Sequence, residues 1–256
     1  MRVLFAILLT LSACSEDPKH NGKVTDRWGK PIAGVTIAVT GSAKQLTSGA
    51  DGSFSVPVQS GDVKVRAGKP GFIKKTMKMV AYGGEGKPSP LLFALYPDPE
   101  KNGFYAVGSM QYSELAPRQI KTVGTDLRAF NGLVDVGSVR VSTSKPAEFV
   151  FSSDARRSEL KQLGLQLNKM KFLENDTLPG VLGETPITLN LWVADAAVPF
   201  DLTGMETDDD YTLKTREALE PGVYAFHTQG TLTSADPGAL DKLPTEMQIA
   251  FPFEVR

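Results

Sequence analysis

NGKVTDRWGKPIAGVTIAVTG (residues 21–41) and TSGADGSFSVPV (residues 47–58) decide the fold. In the first, Val35, Ile37 and Val39 alternate with Thr36, Ala38 and Thr40, the pattern of a strand with one buried face. Just before it, Asp26, Gly29 and Pro31 supply turn geometry. In the second, Asp51-Gly52 predicts a hairpin turn of type I′, whose two central residues both need positive φ. Phe54, Val56 and Val58 then share one strand face, opposite Ser53, Ser55 and Pro57. Val63, Val65 and Ala67 form another alternating strand, with Lys64 and Arg66 toward solvent. KPGFIKKTMKMV (69–80) turns at Pro70-Gly71 into a further strand, and PLLFALYP (90–97) closes the set.

This order resembles the carboxypeptidase regulatory-like domain, a transthyretin-like β-sandwich of about seven strands. The residues that carry the resemblance are Gly22, Val24, Asp26, Gly29, Pro31, Gly34 and Val35. Thr47, Asp51, Gly52, Phe54 and Pro70-Gly71-Phe72 complete them. The family takes its name from its position beside a zinc carboxypeptidase domain. The resemblance implies that the module itself is scaffold, so it transfers no catalytic residue. Residues 22–97 are expected to form this domain.

YPDPEKNG (96–103) is Pro-rich and charged and reads as a short linker to a second β-rich domain, residues 103–256. There, TPITLNLWVAD (185–195) sets Ile187, Leu189, Leu191 and Val193 opposite Thr188, Asn190 and Trp192. EMQIAFPFEVR (246–256) sets Met247, Ile249, Phe251, Phe253 and Val255 on one face. Pro252, which lacks a backbone N–H, predicts an edge or a bulge there. SSDARRSELKQLGLQLNKMKF (152–172) is expected to be a short helix over 154–162, followed by a strand. NGFYAVGSMQ (102–111) and PGVYAFHTQG (221–230) echo one another through Gly-x-Tyr-Ala. The expected fold class is all-β: two β-sandwich-like domains, the second with one short helix.

The chain begins MRVLFAILLTLSAC, with Arg2, an apolar run from Val3 to Leu11, and then small residues before Cys14, the single cysteine. As a helix the run would be roughly 14 Å long, too short to cross a bilayer core of about 30 Å. It therefore reads as a signal-peptide core. Leu11-Ser12-Ala13-Cys14 resembles the lipobox of bacterial lipoproteins. That resemblance implies cleavage of residues 1–13, acylation of Cys14 and a lipidated tether over 14–21. Ser15, where an aspartate would favour retention at the inner membrane, points to the outer membrane of a Gram-negative bacterium. Two or three acyl chains hold a protein on a membrane almost irreversibly, at about 0.8 kcal/mol per buried CH₂.

Chemistry is sparse. The net charge of −1 leaves no electrostatic footprint for nucleic acid. His20 falls in the expected tether, which leaves His227 as the one histidine for a site. Zinc hydrolysis needs several ligands, and no G-x-S-x-G elbow supports a serine triad. The acidic loop Glu206, Asp208, Asp209 and Asp210 could bind calcium but lacks an EF-hand spacing. Gly83, Gly84 and Gly86 lead to Pro88 rather than to a helix, so they read as a turn. Trp28, Trp192, Tyr105, Tyr112 and Tyr224 are the candidates for a sugar-stacking surface.

The expectation is a non-enzymatic envelope lipoprotein without cofactor or metal, acting as a binding or structural module. Its partners would be the membrane, through the lipid on Cys14, and an envelope protein or glycan. The alternatives are a carbohydrate-binding surface lipoprotein and an envelope hydrolase.

Overall fold

The structure, a computed structural model, describes residues 18–84, 86–125, 128–142, 145–155, 157–179, 185–206, 209–233, 238 and 240–256, without the side chains of residues 157 and 161. Cys14 and Ser15 lie outside the described residues. The chain divides into two compact units. The first ends at Leu95; the second comprises Tyr96–Arg256 together with Gly71–Lys74.

The first unit is a β-sandwich. Its strands are β1 (Lys19–Asp26), β2 (Thr36–Val39), β3 (Gln45–Thr47), β4 (Ser53–Pro57), β5 (Val63–Gly68), β6 (Lys75–Met79) and β7 (Leu91–Leu95). One sheet runs β4-β1-β7, with β1 and β7 parallel, and the other runs β3-β2-β5-β6. The alternation seen in the sequence is the burial pattern: Val35, Ile37, Val39, Phe54, Val56, Val65 and Ala67 all face the core.

The glycines of the first stretch have distinct reasons to be glycine. The Phe54 ring lies directly on Gly22, where a Cβ would overlap it. Gly52 has φ +77°, and a Cβ there would strike the carbonyl oxygen of Val24. The turn is not type I′, however. Gly52 N–H donates to Gly49 O (2.9 Å) and Gly49 N–H to Ser53 O (2.8 Å), while Asp51 does not take positive φ. This is a turn closed by a single left-handed glycine. Asp51 contributes its side chain instead: Oδ1 accepts from Ser53 N–H (3.0 Å) and Ser53 Oγ–H (2.6 Å). Those bonds hold its carboxyl below the ordinary range.

The expected tether is also shorter than 14–21. Strand β1 begins at Lys19, and His20 is buried rather than solvated. With a period of two, His20 and Val24 point inward together, and Nδ1 of His20 meets Ser89 O at 2.8 Å. Ser48 is a joint that sequence reading missed. Its hydroxyl accepts from Val35 N–H (2.9 Å) and donates to Ile32 O (2.8 Å), tying the β1–β2 connection to the end of β3.

The second unit has two sheets. Its strands are β8 (Gly103–Val107), β9 (Tyr112–Leu115), β10 (Arg118–Gln119), β11 (Lys121–Thr125), β12 (Arg128–Leu133), β13 (Arg140–Val141) and β14 (Pro146–Ser152). After helix α1 (Arg157–Leu163) come β15 (Gln166–Leu178), β16 (Ile187–Ala197), β17 (Phe200–Gly204), β18 (Asp210–Ala218), β19 (Gly222–His227) and β20 (Ile249–Val255). One sheet is ordered β10-β20-β19-β15-β16-β12-β11 with β13 also on β20, and the other β17-β18-β14-β8-β9. Between them lies a phenylalanine-rich core containing Phe104, Phe149, Phe226 and Phe253.

Pro252 sits where its missing N–H costs nothing. Glu254 N–H points outward to Val139 O (2.8 Å), so by alternation the nitrogen of residue 252 points outward too. On that side β10 pairs with 249–250 and β13 with 254–255, leaving a gap at Pro252. Helix α1 starts three residues later than expected and ends at Leu163, where Gly164 (φ +59°) turns the chain.

The Gly-x-Tyr echo has a structural counterpart. Gly103 and Gly222 enter their strands at φ +148° and +150°. Tyr105 donates its hydroxyl hydrogen to Lys101 O (2.8 Å) and Tyr224 to Glu220 O (2.9 Å), each four residues back. Each sheet thus has one tyrosine corner.

Candidate functional site

His227 ends β19 and is buried, with polar contacts from the turn that follows it and from β15. Nδ1 lies 2.9 Å from Thr228 O and 3.1 Å from Thr231 Oγ1, and Nε2 lies 2.9 Å from Asn168 Oδ1 on β15. Burial pushes the imidazole pKa down, against a smaller opposing effect of the Thr228 carbonyl. A neutral ring fits, with Nδ1–H donating to Thr228 O and the Asn168 amide turned to offer its NH₂ to Nε2. Thr231 Oγ–H donates to Thr228 O (2.7 Å), and Thr231 O accepts from Asn131 Nδ2 (2.7 Å). Asn131 Oδ1 in turn accepts from Thr122 Oγ–H (2.7 Å). The chain of bonds ties β11, β12, β15 and the 228–231 turn together.

This constellation holds a hydroxyl, an imidazole and an amide. The Thr231 hydroxyl has no exposure at all and is spent on a backbone carbonyl, so no reacting atom reaches it. No carboxylate is among the hydrogen-bond partners of His227. Acyl transfer needs a reachable nucleophile beside its base, and here the hydroxyl is sealed.

Beside His227 opens a cavity of about 270 Å³ between the two sheets of the second unit. Phe104 and Phe151 line it from one sheet, Ile249, Phe251 and His227 from the other, and Leu160, Leu163 and Leu165 from α1 and its exit. Thr228, Glu246 and Met247 complete the wall. Phe104 organises the rings: its centroid is 4.2 Å from that of Phe151, 4.6 Å from Phe251 and 4.8 Å from Phe226. Glu246 is the one carboxylate of the lining, and it is exposed.

Of the aromatic candidates the structure brings together only Tyr105 and Tyr112, whose ring centroids are 5.9 Å apart. Trp28 belongs to the first unit, and the others to the second. Tyr105 and Tyr224 are buried, with burial raising both phenol pKa values, and Tyr112 gives its hydroxyl hydrogen to Pro97 O (3.1 Å). Trp192 is half-buried and tilted 42° against Phe172, its partner across β15 and β16. Phe172, 38% exposed, escaped the sequence reading because a lone aromatic among lysines carries no signal.

In the acidic loop, Asp208 lies outside the described residues; Glu206 and Asp209 are exposed and Asp210 is buried. Among the described residues no group of three His, Cys, Asp or Glu side chains is placed to hold a metal ion. Asp98 is held above the ordinary carboxylate range, first by partial burial and then by Asp210. It is nonetheless exposed, so the two acids do not face each other in an enclosed cleft. Gly83, Gly84 and Gly86 lie in an irregular stretch held by Tyr82 Oη–H donating to Gly86 O (2.7 Å).

Residues 21–95 match the carboxypeptidase regulatory-like domain. The matched stretch spans strands β1 to β7, with Gly22 under the Phe54 ring and Gly52 in its turn. No curated protein matches the chain. Two solved structures of BcpA, the major pilin subunit of Bacillus cereus, are weakly similar. The D312A form has a TM-score of 0.26 and 9% identity, covering 93% of this chain and 67% of that one. The unsubstituted form has a TM-score of 0.26 and 11% identity, covering 93% and 68%. At that score the similarity does not extend to function.

Proposed function

We propose that this chain is a cell-envelope lipoprotein, anchored by acyl groups on Cys14, whose folded part is a non-catalytic binding or structural module. The observation that carries the non-catalytic reading is the engagement of His227: both ring nitrogens are occupied, and the adjacent hydroxyl is sealed. The regulatory-like match supports it, because that family resemblance implies scaffold rather than chemistry.

The anchor reading rests on Leu11-Ser12-Ala13-Cys14 and the short apolar run before it. Ser15 directs the anchor to the outer membrane. Fractionation with mass analysis tests the reading: the wild-type chain sediments with membranes, resists salt extraction and carries acyl groups, whereas Cys14→Ser is unacylated and is left either unprocessed or soluble. A Cys14→Ser chain that is cut like wild type and still retained on membranes would contradict the anchor.

A further inference from the structure

We propose that the cavity beside His227 binds one hydrocarbon tail of about ten carbons, carried on an uncharged or cationic head. Size comes first. A cavity of about 150 Å³ holds a benzene ring, so about 270 Å³ holds on the order of ten heavy atoms.

Lining chemistry comes second. Three phenylalanines, three leucines, Ile249 and Met247 make the wall, while the nitrogens of His227 already have partners inside the protein. The interior therefore offers a polar group little beyond the Thr228 hydroxyl, which has no hydrogen-bond partner among the described residues, so most of the hydration lost by a polar group there would go unreplaced. Apolar burial is the main reward, at about 25 cal/mol per Å².

Charge comes third. Glu246 is exposed on the lining and disfavours a carboxylate or phosphate head there. The walls come from β8, β14, β19, β20, α1 and the 3₁₀ turn Thr245–Met247. The site is thus a gap in the sandwich, capped by the helix and the turn.

The proposal rests on the second unit being a binding module, and the two claims fail separately. The probe is N-phenyl-1-naphthylamine, a neutral fluorophore, on the full chain carrying Cys14→Ser, which has no acyl groups to capture dye. One saturable site is expected. Decanol and decyltrimethylammonium should displace the dye at least tenfold more effectively than decanoate. Ile249→Trp, which fills the cavity, should weaken dye binding at least tenfold while circular dichroism stays β-rich. Glu246→Lys, an exposed change that spares the fold, should bring decanoate level with or ahead of decyltrimethylammonium.

Absence of saturable uptake would overturn the proposal. So would uptake unchanged in folded Ile249→Trp, or decanoate equal to decyltrimethylammonium in the parent and in Glu246→Lys. Hydrolysis of p-nitrophenyl decanoate that disappears in His227→Gln would instead overturn the non-catalytic reading and leave the tail site standing.

Discussion

Gly52 combines two constraints that exclude every side chain: a left-handed backbone at φ +77° and a neighbouring Val24 carbonyl where a Cβ would stand. Gly52→Val should destabilise the first unit by about 3 kcal/mol, the upper end of backbone strain at one residue, because the collision adds to it. Denaturant unfolding followed by circular dichroism measures this, and a midpoint equal to wild type would refute it. His227 sets a pH dependence. Its folded-state pKa is lowered, first by burial, below an unfolded value of about 6.5. In the window between the two, the unfolded chain binds more protons. The stability from the neutral ring is therefore complete above roughly pH 6.5 and is lost as pH falls toward the folded-state value. Unfolding free energy should thus fall on acidification more steeply in wild type than in His227→Gln. Parallel pH profiles would contradict burial as the dominant influence on the ring.

At the scale of elements, the strands whose faces alternate cleanly were readable, and the irregular features show why others were not. Val35, Ile37 and Val39 announce β2 because one face meets a core and the other water. The turn at 49–53 misleads because Asp51-Gly52 suits two turn types, and the choice is made by Val24 N–H donating to Gly52 O (2.9 Å), a partner 28 residues away. Pro252 misleads as a sign of an edge or a bulge, because β20 is paired on both sides without a register shift; the two short strands flanking its gap, at 118–119 and 140–141, are too brief to show a period. The long β15 carries two register shifts, between Lys169 and Met170 and between Glu174 and Asp176. These break the alternation on which strand reading relies. The paired Gly-x-Tyr corners were visible as an echo, and their bonds give it physical content. Tyr224→Phe removes the hydroxyl hydrogen bond to Glu220 O and keeps the ring on Phe253, so it should cost about 1 kcal/mol. Tyr105→Phe should cost a similar amount through Lys101 O. A loss several times larger in either variant would show that the hydroxyl does more than close its corner.

For the whole molecule, the first unit was legible because its identity is carried by local signals: turn residues, alternation and two glycines packed against named neighbours. The cavity of the second unit was not. Its lining is gathered from Phe104, Phe151, Leu160–Leu165, His227 and Glu246–Phe251, separated by up to nearly the whole length of that unit, and each segment alone reads as ordinary core. The sequence left His227 open as a surface or a packed imidazole; the structure buries it, and its partners Asn168 and Thr231, one of them 59 residues away, could not be read from the strand alone. What joins the two units to a cell is the proposed lipid on Cys14, and the account of an envelope binding module stands on it. Intact-mass and peptide mass spectrometry of the mature protein purified from membranes is the most direct test. The account predicts a chain beginning at Cys14 and carrying acyl groups on that residue. A mature chain that retains residues before Cys14, or that starts elsewhere with Cys14 unmodified, would contradict it.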